Sequence, residues 1–169
     1  MIPLLAACLA AAVAATPSLT VQVQRAGAAL EVSVELDAPL PEQLDRALPT
    51  GAEVRVRYNL KVHARRRLWW DRRVWRGEMT ATVAFDPVTG RYRCEQQLEG
   101  VIVASTETTS ADAARSWLTA PPSIRLVIPR TKKALRLRAR AILNSGTVWL
   151  VFPTTTGSDW VEAPVEGPR

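Results

Sequence analysis

Hydrophobic and polar residues alternate along most of this chain with a period of two. Leu30, Val32, Val34 and Leu36 are apolar, and Glu31, Ser33 and Glu35 between them are polar. The same rhythm sets Val54, Val56, Tyr58, Leu60 and Val62 against Arg55, Arg57, Asn59, Lys61 and His63. It returns in Met79–Phe85, Tyr92–Leu98 and Leu135–Ala141. Successive side chains of a strand point to opposite faces, so each run predicts a strand with one face on a core and one in water. Shorter runs at Val21–Arg25, Val101–Ser105, Ile124–Ile128 and Val148–Phe152 predict further strands. Shared parity predicts that Val32, Val34, Val56, Tyr58, Leu60, Val83, Phe85, Tyr92, Cys94, Leu135, Leu137 and Leu150 are buried together.

The connections fit short antiparallel strands. Ala26-Gly27-Ala28 can turn a first hairpin. Asp86-Pro87-Val88-Thr89-Gly90 puts Pro second in a turn and Gly where positive φ is cheap. Glu99-Gly100 and Asn144-Ser145-Gly146 are tight-turn signals. Two short helices interrupt the strands. Pro41–Leu48 has Pro in its first turn and stops at Pro49-Thr50-Gly51. Ser110–Leu118 opens on a Ser cap, carries Asp112 in its first turn and ends before Pro121-Pro122. The fold class predicted is mostly β: an antiparallel β-sandwich or strongly curved sheet with two short helices. A single β-rich domain is expected over residues 16–152. Residues 153–169 read as a Pro- and Thr-rich tail that frays, with Trp160 as the residue able to dock.

Residues 1–15 read differently. Ile2–Ala15 carries no charge and is too short for an ordinary transmembrane span. It has the apolar core of a secretory signal peptide, and Val13-Ala14-Ala15 fits a cleavage site with Thr16 as the new N-terminus. Leu5-Ala6-Ala7-Cys8 also fits the lipobox of bacterial lipoproteins, so a lipid anchor through Cys8 is the alternative. Either route leads to the cell envelope, and a periplasmic location is expected. Ordinary cleavage leaves Cys94 alone, without an internal partner, and its parity makes it a small buried hydrophobe.

Charge changes the picture next. The 169 residues carry a formal net charge of +6, which favours anionic partners. Acids concentrate in Glu31–Glu53, whereas Ala113–Ser158 holds none. Arg55, Arg57 and Lys61 share one strand face, and Arg136, Arg138 and Arg140 share another. If the two strands lie in one sheet, that face is strongly basic. The competing expectation is that Glu31, Glu35, Glu95 and Glu99 pair with these cations across strands.

The densest feature runs from Arg65 to Arg76. Arg65, Arg66, Arg67, Arg72, Arg73 and Arg76 are interleaved with Trp69, Trp70 and Trp75. Arg combines fixed charge with the ability to stack on rings, and Trp anchors interfaces. These nine residues are the candidate binding residues. The alternative is that the tryptophans pack at the sheet rim under a cover of arginines. Asp71 is expected as a salt-bridge partner of Arg67, Arg72 or Arg73. No catalytic set emerges. The single histidine, His63, has no placed nucleophile and is expected as an ordinary exposed side chain. No metal ligands are suitably spaced and no glycine-rich nucleotide loop is present, so no metal or cofactor is expected.

Several of these elements, in order, resemble the bacterial family called domain of unknown function 4390. They are Leu44-Asp45-Arg46-Ala47-Leu48-Pro49-Thr50-Gly51, the Arg65–Asp71 segment with its Trp-Trp-Asp, the hairpin Phe85–Arg93, and the helix at Ser110–Leu118. The resemblance covers roughly Leu30–Phe152. Phe85 stands where that family usually has Tyr, and the Pro- and Thr-rich tail is unusual. The resemblance implies a small exported β-rich protein, often encoded near a membrane sensor kinase of the nitrogen-regulation type, with no assigned catalytic residues. Taken together, the expectation is a non-enzymatic envelope binding or accessory protein. Its partner would be an envelope protein such as that sensor kinase, contacted through Arg65–Arg76. The alternative is a peripheral binder of anionic lipid or lipopolysaccharide. An uncharacterised enzyme is a third, weaker reading, and nucleic acid fits the charge but not the compartment.

Overall fold

The computed structural model describes residues 17–37, 39–65, 71–129, 131, 133–144 and 156–165. The described residues begin with a hairpin of β1 (Leu19–Ala26) and β2 (Ala29–Leu36), then α1 (Glu42–Ala47) and a 3-10 turn, Leu48–Thr50. Four consecutive strands follow: β3 (Val54–Ala64), β4 (Arg72–Asp86), β5 (Arg91–Leu98) and β6 (Val101–Thr108). After them come α2 (Ala111–Thr119), β7 (Ile124–Val127), β8 (Leu135–Asn144), β9 (Thr156–Gly157) and β10 (Val161–Pro164).

Among the described residues the strands form two antiparallel sheets. The smaller has the order β1-β2-β7. The larger has seven strands in the order β10-β8-β3-β4-β5-β6, with β9 beside β8. Alternation sets which face each sheet buries. Val54, Val56, Tyr58, Leu60, Val62 and Ala64 of β3 enter one core with Leu30, Val32, Val34 and Leu36 of β2. Helix α2 packs against β3, β4 and β5 on that same side, burying Ala114 and Leu118. The opposite face of the large sheet keeps its polar residues.

The local signals act as their chemistry requires. Ser110 Oγ accepts from the Ala113 amide at 3.3 Å and caps α2. Asp86 organises the β4–β5 turn by accepting from the Val88 amide and the Thr89 hydroxyl, each at 2.9 Å. These bonds hold the Asp86 carboxyl below its ordinary range. The β5–β6 hairpin turns through Glu99 and Gly100, both with positive φ, as a tight hairpin turn demands. Tyr58 is fully buried and donates its hydroxyl to the Leu118 carbonyl at 2.6 Å, tying β3 to the end of α2.

Of the twelve residues expected in the core, ten are buried, and Leu150 lies outside the described residues. Phe85 is half-buried, its ring 4.8 Å from the ring of its cross-strand neighbour Tyr92. The strand expected at Val148–Phe152 and most of the Asn144-Ser145-Gly146 turn also lie outside the described residues. The C-terminal region differs from the expectation drawn from composition. Thr156–Gly157 and Val161–Pro164 each pair with β8 rather than fraying. These pieces are too short for a periodic signal. They are held by partners distant in sequence: the Ser158 hydroxyl accepts from the Ala141 amide at 2.9 Å, and Ala163 is buried.

Candidate binding surface

Strand β3 is the centre of the large sheet's polar face, because both its neighbours carry the other basic residues. Its pairing with β8 sets Lys61 opposite Arg138, His63 opposite Arg136 and Asn59 opposite Arg140. Its pairing with β4 sets Lys61 opposite Arg76 and His63 opposite Arg73. Directly paired residues share a face. Two basic runs about eighty positions apart in sequence therefore form one patch across three strands, joined by arginines from the start of β4.

The acids that temper this patch are not those expected from the sequence. Glu31 and Glu35 belong to β2 in the other sheet, out of reach of β3 and β8. Glu99 is engaged at the hairpin, where its carboxylate accepts from the Glu78 amide at 3.2 Å. The observed partners are Glu53 with Arg55, Glu78 with Arg57 at 4.0 Å, and Glu162 with Arg136 at 3.5 Å and Arg138 at 3.0 Å. Among the described residues, Lys61, Arg73 and Arg76 meet no carboxylate within ion-pairing distance.

Trp160 lies across the middle of the patch. Lys61 Nζ sits 4.1 Å from the Trp160 ring centroid, and Arg138 Cζ sits 5.6 Å from it. Cation–π attraction thus docks the segment before β10 onto the basic face. Arg140 Nε holds the same segment by donating to the Ser158 carbonyl at 3.0 Å. An open groove of about 320 Å³ runs beside the ring, lined by Asn59, Lys61, Arg76, Glu78, Glu99 and Trp160. Two cations, two carboxylates and one amide line it, so the groove is polar and carries no net formal charge of its own.

His63 is half-buried between Arg73 and Arg136, not exposed as expected from its position on the polar face. Arg73 and Arg136 are its paired neighbours on the two flanking strands. Its Nε2 is shielded from solvent and meets no hydrogen-bond partner among the described residues.

The nine residues expected to bind as one segment are divided by the fold. Arg66, Arg67, Trp69 and Trp70 lie outside the described residues. Arg65 is exposed at the end of β3, where its amide donates to the Ala134 carbonyl at 2.9 Å. Arg72 and Arg73 are exposed and border a cleft of about 240 Å³ with Val74, Pro129, Thr131 and Lys133. Arg76 faces outward beside Lys61. Trp75 pairs with Val62 and turns to the core side. A register shift between Val62 and His63 makes this split, because the extra residue, Val74, reverses the parity between Arg73 and Trp75. Trp75 then lies across Gly77. A Cβ added to Gly77 would sit 2.5 Å from Trp75 Cη2 and 2.6 Å from Cζ2, and would also collide with the Glu99 carboxylate. Gly77 is thus the space that Trp75 occupies.

Sequence reasoning placed both basic runs correctly but could not bring them together, because pairing partners are not visible in a single strand. It also gave Trp160 no more than a docking role. The signal that could have raised it is an aromatic in a segment where every other element is short.

The family model described as domain of unknown function (DUF4390) matches residues 18–161. The chain belongs to this family. The match spans both sheets and ends within β10, so the strands that carry the basic face all belong to the DUF4390 region. Comparison with curated proteins and with solved structures returns no match.

Proposed function

We propose that this DUF4390 protein is an exported envelope binding module, without enzymatic activity, that recognises an anionic partner through the outer face of its large sheet. The observation that carries the reading is the pairing of β3 with β8 and β4, which concentrates Lys61, Arg73, Arg76, Arg136, Arg138 and Arg140 on one face, covered in part by the Trp160 segment. Four of these cations, Lys61, Arg73, Arg76 and Arg140, have no carboxylate partner among the described residues; Arg140 is held by the Ser158 carbonyl and Lys61 lies against the Trp160 ring, so Arg73 and Arg76 are the most available. A charge left unpaired in this way is available to a partner and steers its approach. The Arg65–Arg76 segment contributes through Arg73 and Arg76 rather than as a contiguous anchor.

The partner class favoured is an acidic surface of an envelope protein, and the family resemblance points to the membrane sensor kinase. Trp160 supports a polar partner over an inserted one, since its ring is engaged by the protein's own cations and offers no free wedge to a bilayer. Export rests on the apolar segment Ile2–Ala15. No helix among the described residues is long and apolar enough to cross a membrane.

The test is a pull-down from envelope fractions with the wild-type protein and with Lys61→Gln/Arg73→Gln/Arg76→Gln. The expected result is one envelope protein retained by the wild type and lost from the variant. Equal retention by both proteins refutes the assignment of the face. Retention of anionic phospholipid or lipopolysaccharide instead of protein replaces the proposed partner with a lipid surface.

A further inference from the structure

A second feature of the large sheet, independent of its basic face, is its open edge at β6. Protein sheets ordinarily shield their edge strands with prolines, charges, short length or a cover. Here the other edges follow that rule. Strand β10 has four residues, including Glu162 and Pro164. Strand β7 also has four, carries Arg125, and runs between Pro122 and Pro129. Strand β1 is covered by β8 and β10.

Strand β6 breaks it. It has eight residues, no proline and one charge, Glu107, and no described strand pairs with its outer side. Its first three side chains are large, apolar and exposed: Val101 by 66%, Ile102 by 55% and Val103 by 48%. Its last four, Ser105 to Thr108, are polar. The register with β5 shifts between Gln96 and Gln97, so the apolar run is split over both faces and the bulge. Such a run cannot be buried by a surface laid on one face of the sheet. An added strand reaches all three residues.

We propose that β6 accepts an extended segment of a partner protein as an added antiparallel strand, with apolar residues opposite Val101–Val103 and, opposite Ser105–Thr108, small polar residues and a cation facing Glu107. Main-chain hydrogen bonds supply the affinity of such a contact and alternate side chains its specificity. A second copy of this chain fits poorly. Full antiparallel self-pairing would set Val101 against Thr108, Ile102 against Glu107 and Val103 against Thr106. Self-pairing of the apolar ends alone would join three residues a side. Even the full edge offers eight residues, against the roughly 20–30 a side of a stable interface between folded proteins.

The test uses the full chain and a labelled eight-residue peptide, lysine and threonines in its first half and valines in its second. Amide hydrogen exchange and fluorescence anisotropy are the readouts. The expected result is saturable binding that protects the β6 amides, weakened at least tenfold by Val101→Lys/Ile102→Lys. A peptide of the same composition with a central proline should not bind. Both substitutions are at exposed positions, and a thermal melt verifies that the variant folds. Failure of the peptide to protect β6, or equal binding to the variant, overturns the proposal. A dimeric wild type whose β6 amides are already protected overturns the choice of occupant in favour of a second copy. None of these readouts depends on the basic face.

Discussion

Replacing Tyr58 with Phe probes how the sheet that carries the basic face is held to its cover. Tyr58 sits at the middle of β3, with no exposed surface, and its hydroxyl donates to the Leu118 carbonyl at 2.6 Å. That carbonyl belongs to the last turn of α2, where helical carbonyls have no partner within the helix. The substitution removes one oxygen and leaves a buried acceptor unpaired. The hydrogen bond itself contributes about 0.5–1.5 kcal/mol, and an unsatisfied buried acceptor costs about 1–3 kcal/mol. The Thr119 carbonyl, 3.4 Å from the hydroxyl, is too distant to change this. The loss expected is therefore about 1–3 kcal/mol, with core packing otherwise intact. With an m-value of about 1–3 kcal/mol per molar urea, a loss of 2 kcal/mol lowers the midpoint by roughly 0.7–2 M. Urea melts of both proteins, followed by circular dichroism, give the number. A shift corresponding to less than about 0.3 kcal/mol would show that the bond does not link β3 to α2.

Three further outcomes follow from the fold. The Cys94 thiol is buried and its pKa raised by desolvation, so a maleimide should label it slowly in the folded protein and rapidly in urea; fast native labelling contradicts the assigned parity. The depressed Asp86 carboxyl contributes stability that is fully present above the ordinary carboxylate range, near 3.9, and is lost as pH falls through the lower folded-state value. Asp86→Asn should therefore flatten the acid limb of the stability curve, and an unchanged limb counts against the turn geometry. Gly77→Ala should cost about 1–3 kcal/mol and perturb tryptophan fluorescence, because the added methyl collides with the Trp75 ring; a neutral outcome would mean that the ring is free to move aside.

Strand parity was legible in the sequence because a half-buried strand writes its two faces at alternate positions. That is why Val56, Tyr58 and Leu60 were assigned to the core and Lys61 and Arg138 to a polar face from the pattern alone. Strand pairing was not legible. The β3–β8 contact joins residues more than seventy positions apart, and each strand pattern is compatible with many neighbours. The same blindness misassigned the acids: Glu162 lies in a four-residue strand with no periodicity, yet it pairs with Arg136 and Arg138. Trp75 illustrates a subtler limit. One extra residue in β4 reversed the parity of the Arg–Trp segment, and no local rule marks where a bulge falls.

The central claim is that an anionic partner meets the outer face of the large sheet. Its most direct test is sedimentation of the protein with native envelope membranes at low and physiological salt, beside Lys61→Gln/Arg73→Gln/Arg76→Gln. Arg73 and Arg76 are exposed and contribute little to folding, and the Lys61–Trp160 contact adds about 0.5–1 kcal/mol, so the variant should melt within about 2 kcal/mol of the wild type. The account predicts that the wild type sediments with the membranes, less so at higher salt, and that the folded variant stays in solution at both. A folded variant that sediments as the wild type does would contradict it.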